Sequence, residues 1–273
     1  MKRGLEWVLT GTILLGSCAK LEITEQEARL VEDKPIETNY DIGIKLTKLA
    51  ENEPDKKKRA DLYANAFNNF EMARKFEGRQ YDALLRQADC LSNLGEMLTA
   101  IELANQALAM DVPKKSKSAG YNVKGTIAMR HNLPEMAAEC YTESIKHEDN
   151  PVARWNRYDA TMRFAITPDG IRMDFIDRSL EDLKKYTEFK KEEPDGYLAQ
   201  FILHSIKSRA YQSEEKDAEA LNELKTGYLR LRSAIALIEQ GKQPKRNIGM
   251  TIEQFRQAYD ELKKVPELQP KEF

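Results

Sequence analysis

From Thr38 onward, apolar residues recur at intervals of three and four, and no alternating run is long enough to predict a strand. The pattern therefore predicts helices throughout. Leu84, Ala88 and Leu91 share one face of a first helix, Gly95 makes a turn, and Ala100, Ala104 and Ala107 line a second, with Pro113 closing the unit. Two antiparallel helices approach closely when small residues stand where they cross, here Ala88 against Ala100.

The same phase recurs in both directions. Ala66, Phe70 and Ala73 lie 34 residues before Ala100, Ala104 and Ala107. Pro54 falls where the second half of the preceding helix should be, so that helix is expected to be irregular. Downstream, Tyr121, Gly125 and Ala128 open a unit whose second helix carries Ala137, Tyr141 and Ser144. The offset from Ala100 to Ala137 is 37, which points to a lengthened linker at Lys114–Ser118. A further unit opens at Pro151 with Trp155, Tyr158 and Met162 and continues around Ile176, Leu180 and Leu183. Asp159 stands at its small-residue position.

Segment 81–113 resembles a tetratricopeptide repeat (TPR), and the neighbouring units resemble it more loosely. The resemblance implies an all-α solenoid of helical hairpins, a right-handed superhelix of ten to twelve helices. Repeats are expected over 38–195 and repeat-like helices over 196–273. The latter comprise one helix over Tyr197–Tyr211 and another over Glu214–Glu239, stopped by Gly241 and Pro244. A last helix follows, opened by a capping box at Thr251 to Gln254. A polar terminal helix is what a solenoid needs to end in water.

In TPR proteins the first helices line a concave surface that binds peptides. Carried over, Leu85, Arg86 and Asp89, then Asn122, Thr126, Met129 and Arg130, then Asn156, Arg157, Arg163 and Phe164 are expected to line a groove. Arg and Asn can hold a peptide backbone or a carboxylate by paired hydrogen bonds, and four arginines suggest an acidic partner. Some family members clamp a terminal carboxylate with Lys and Asn; here Leu85 and Asp89 stand in those places, so that clamp is not implied.

The N-terminus follows another logic. Lys2 and Arg3 precede an apolar run from Trp7 to Gly16. About ten residues are too few for a spanning helix, which needs roughly 20, but they suit a cleaved export signal. Leu15, Gly16, Ser17 and Cys18 resemble the lipobox of bacterial lipoproteins. That resemblance implies removal of residues 1–17, acylation of Cys18 and, through Ala19, the outer rather than the inner membrane. Several acyl chains hold a protein stably on a bilayer where one holds it marginally. Residues 18–37 read as a polar tether.

The remaining composition narrows the function. Charged residues make up 32% of the 273, and the net charge of -2 gives no broad positive field, so nucleic acid is not an expected partner. His131, His147 and His204 are scattered, without a His or Cys at ligand spacing on the same helix, so no metal or other cofactor is expected. Cys90 and Cys140 fall mid-helix among apolar neighbours and are expected as free buried thiols. Ser and Cys occur in no nucleophile motif, and no glycine-rich phosphate loop follows a strand, so an enzyme is not expected. The chain reads as an envelope scaffold that binds another protein or peptide, or alternatively as a transporter accessory holding a small carboxylate among its repeats.

Overall fold

The computed structural model describes residues 38–167 and 170–269; the expected signal, Cys18 and the tether lie outside them. Eleven α-helices account for most of the described residues. Helix α1 (Asn39–Asn52) pairs with α2 (Lys56–Phe76), α3 (Gln80–Asn93) with α4 (Met97–Ala109), and α5 (Lys114–Arg130) with α6 (Pro134–His147). Helix α7 (Pro151–Ala165) pairs with α8 (Met173–Phe189), α9 (Asp195–Ser213) with α10 (Asp217–Glu239), and α11 (Ile252–Leu262) packs on α10. Each hairpin packs mainly on its neighbours in sequence, as in a solenoid.

The turns share one device. At α3–α4, α5–α6 and α9–α10 a residue in the left-handed region ends the first helix: Gly95 (φ +93°), Asn132 (φ +58°) and Glu215 (φ +58°). Each time the next amide donates back across five residues, Glu96 to Leu91, Leu133 to Ala128 and Lys216 to Tyr211, at 2.9 Å. This closure satisfies carbonyls that a helix end would leave open.

Small residues set the crossings. Ala66, Ala73, Ala88, Ala100, Ala104 and Ala107 are all fully inaccessible. A Cβ added to Gly125 would stand 2.6 Å from the Tyr141 ring, so that helix pair meets where only a hydrogen fits.

Four expectations need correction. Pro54 does not disturb a helix; it lies in the turn after α1, and Asp55 then caps α2 by accepting from the amides of Lys57 and Lys58, each at 2.9 Å. Lys114–Ser118 is no linker but the start of α5, with Ser118 buried against Ser144 at 3.0 Å. In α7 Asp159 is largely exposed, and its neighbour Ala160 is the fully inaccessible small residue at that point. The α7–α8 connection contains a short antiparallel ladder, β1 (Ile166–Thr167) with β2 (Gly170–Ile171), where no strand was expected.

Toward the C-terminus the chain folds back. Asp195, fully buried at the start of α9, accepts from the amides of Lys245 (2.9 Å) and Arg246 (2.7 Å). The Arg246 guanidinium then lies 4.6 Å from the centre of the Trp155 ring on α7. Glu193 meets Lys245 at 2.8 Å, and that bond holds its carboxyl at a pKa of about 2. The Arg246 guanidinium also lies 5.7 Å from the centre of the Tyr186 ring on α8, so residues 241–250 strap α7, α8 and α9 together. The capping box at Thr251 and Gln254 is present and opens α11.

Candidate functional site

The first helices α1, α3, α5 and α7 contribute side chains to two adjoining cavities. The first, about 390 Å³, is lined by Tyr40 and Glu51 from α1, Asp82, Leu85, Arg86 and Asp89 from α3, and Ala119, Val123, Thr126 and Arg130 from α5. The second, about 290 Å³, is lined by Thr126, Met129, Arg130, Tyr141, Asn156, Asp159 and Arg163. Thr126 and Arg130 belong to both, so the two form one continuous surface.

Eight of the eleven groove residues expected from the sequence, Leu85, Arg86, Asp89, Thr126, Met129, Arg130, Asn156 and Arg163, line this surface. Asn122 touches it indirectly, accepting from the Asn156 amide at 3.1 Å. Thr126 donates to the Asn122 carbonyl at 3.0 Å and lies 3.4 Å from the Tyr141 hydroxyl. Burial pushes that phenol up to about 12, so it stays protonated and able to donate.

Arg157 is the exception, and it turns away from the groove. Its Nε and Nη2 donate to Asp182 at 2.8 and 2.6 Å, and its Nη1 donates to Thr142 at 3.2 Å. Asp182 is fully buried on α8 and also accepts from Arg154 at 2.8 Å. Arg154 in turn meets Asp149 through two nitrogens at 2.8 and 2.9 Å. Those bonds hold the Asp149 carboxyl below the usual range and raise the already high pKa of Arg154. A buried carboxylate needs this much company, because an unpaired charge away from water is costly. Phe164 also leaves the groove, packing edge-on against Phe175 at 4.8 Å.

These positions alter the expected electrostatics. Arg130 donates to Asp89 at 3.1 Å and to Ser92 at 2.7 Å, and Arg163 lies 3.8 Å from Asp159. Arg86 is exposed and makes no ion pair among the described residues. Glu51 and Asp82 stand beside it on the same cavity. The four arginines therefore do not form a positive cradle, and the acidic-partner expectation loses its basis. The surface is charge-mixed, with an apolar share from Tyr40, Leu85, Ala119 and Val123. Tyr40 and Glu51 carry no sequence signal for this surface because the first hairpin keeps the repeat phase poorly, and Asp82 and Asp159 join it from helices that the sequence does assign to the groove.

The histidines have local partners. His131 Nε2 lies 3.3 Å from Ser92, His147 stacks on Tyr121 at 5.4 Å, and His204 Nδ1 meets Glu223 at 2.6 Å. Among the described residues no three His, Cys, Asp or Glu side chains converge as metal ligands. Among those residues, too, no helix is long and apolar enough to cross a membrane. Cys90 and Cys140 are both buried and unbridged.

No family model matches the chain, and no curated protein matches it. Among solved structures, a crystal structure of MamA is similar at 16% identity and a TM-score of 0.45, covering 68% of this chain and 95% of that one. A TPR repeats protein from Bacteroides fragilis is similar at 14% identity and 0.41, covering 81% and 97%. The TPR2AB-domain:pHSP90 complex of yeast Sti1 is similar at 15% identity and 0.40, covering 82% and 97%. At such values the likeness says nothing of what this chain binds. The all-α, TPR-like helical-hairpin solenoid stands on the helix pairing, the repeated turns and the small-residue crossings of this chain itself.

Proposed function

We propose that the protein is a docking scaffold of the bacterial cell envelope, which binds a segment of another envelope protein on the surface shared by α1, α3, α5 and α7. The observation that carries this reading is the pair of adjoining cavities joined at Thr126 and Arg130. Four successive hairpins give it length, and mixed charges over an apolar base suit a peptide better than a single small anion. Its membrane attachment would come from acylated Cys18 at the end of the tether, with Ala19 favouring the outer membrane.

The test is affinity purification from detergent-solubilised membranes, comparing wild type with Arg86→Glu plus Asp82→Lys. Both residues are exposed, so the double variant should melt like wild type. A partner retained by wild type and lost by this variant supports the surface; one held equally by both refutes it. The anchor is tested separately with Cys18→Ala. That variant should leave the membrane fraction, and fractionation like wild type would refute lipid attachment.

A further inference from the structure

A third cavity, about 630 Å³, shares no residue with the two described above. It opens between α6 and α8, over a base of Ala138, Thr142, Thr161, Phe164 and Phe175. Its α6 and α8 walls differ in sign, and Tyr121 and Lys124 of α5 also line it. Glu135 and Glu139 stand one turn apart on α6, both exposed and without an ion pair among the described residues. Across from them Arg178 is exposed on α8, its guanidinium 5.4 Å from the centre of the Phe175 ring. The next acid along α6, Glu143, is already taken by Lys146 at 2.6 Å.

The separation of the walls is fixed before anything binds. Arg157 reaches Thr142 on α6 and Asp182 on α8 at once, so one guanidinium ties both sides of the cleft. A preformed cleft costs a partner less ordering than one that must assemble. Its shape and charge call for a rod with an apolar ridge, a basic flank toward α6 and an acidic flank toward α8. An α-helix supplies that, with flanking charges repeating every four residues, the spacing of Glu135 and Glu139.

We propose that the α6–α8 cleft is a second docking surface, separate from the groove, for an amphipathic helix of a partner protein whose Lys or Arg residues meet Glu135 and Glu139. The observation behind it is the sign difference across an aromatic-based cleft. The proposal does not depend on what the groove binds.

The probe is a synthetic amphipathic helix with a Leu and Phe ridge, Lys on one flank and Glu on the other, followed by fluorescence anisotropy on the purified full chain. Saturable binding to wild type is expected. Glu135→Lys plus Glu139→Lys should weaken it about tenfold or more, and adding Arg178→Glu, which exchanges the signs of the two walls, should restore it. Arg86→Glu should leave binding unchanged. Absence of saturable binding, equal binding by wild type and the Glu135→Lys plus Glu139→Lys variant, or loss on Arg86→Glu would each overturn the proposal. Displacement of the peptide by benzoate at equal concentration would mark a small-carboxylate site instead and overturn it as well.

Discussion

Replacing Asp182 with Ala should destabilise the α7–α8 hairpin by about 3 kcal/mol, and the structure sets that figure. The wild-type carboxylate is fully buried and receives three hydrogen bonds from two guanidinium groups. Removing one member of a buried ion pair costs about 3–5 kcal/mol, mainly because the other charge stays behind without a partner. Two features place this case at the lower end. Arg154 keeps both bonds to Asp149, and the arginine side chains retain 11% and 13% of their exposure, enough to reach some water. Arg157 is left with Thr142 alone. In thermal unfolding about 3 kcal/mol corresponds to a fall of roughly 6–12 °C for a chain of this size. Urea unfolding should give the same loss at an unchanged slope, provided the transition stays two-state. The control is Asp182→Leu with Arg154→Met and Arg157→Met, which removes all three charges together. Apolar replacement of a buried ion network is often neutral or stabilising, so the triple variant should lie within about 1 kcal/mol of wild type. A loss below about 1 kcal/mol for Asp182→Ala, or a triple variant worse than the single one, would refute the account of Asp182 as a charge held by its partners.

Other outcomes follow from single contacts. Gly125→Ala should cost about 1–3 kcal/mol in thermal melts through overpacking against Tyr141, and Tyr141→Leu in the same chain should recover part of it. His204 lies among Glu223, Lys207 and Arg230, with Asp177 beyond, and its burial lowers its pKa below the ordinary 6.5 although the Glu223 bond opposes this. The unfolded chain therefore takes up the proton first, and stability should fall as pH drops below about 6.5, in melts where His204→Gln flattens the slope. Burial pushes the Cys90 thiol up to about 12 and raises that of Cys140, so neither should react with a thiol reagent at pH 8 until urea is added. Prompt labelling of Cys90 in the native protein would contradict its placement.

The helical hairpins were legible because small residues at crossings recur in phase, and Ala66, Ala100 and Ala137 all turned out inaccessible. Where the phase slipped, the reading slipped with it. Lys114–Ser118 looked like a linker because it is polar, yet a polar first turn is ordinary at a helix start, and Ser118 finds a buried hydroxyl partner. Arg157 follows Asn156 in sequence but stands about 100° further round the helix, enough to face Asp182 rather than the groove. A signal for that was present: Asp182 keeps the period of Ile176, Ser179 and Tyr186, and a carboxylate on an inward face asks for a cation. The groove chemistry was less legible. Whether an arginine is free or taken depends on side chains about 25 or 40 positions away, which no local window contains.

The strap at 241–250 has a consequence for how the chain is made. Hairpins α1–α2 and α3–α4 meet their partners as they leave the ribosome, since every contact they need is close behind. Trp155 is different: the guanidinium that covers it belongs to Arg246, about ninety residues later. At about 5–20 residues per second, that face stays uncovered for roughly 5–18 s of synthesis. Asp195 waits a little over half as long for the amides of Lys245 and Arg246. The middle of the protein is therefore finished by its end, and a nascent chain halted before residue 245 would present an indole and a carboxylate still lacking their covers.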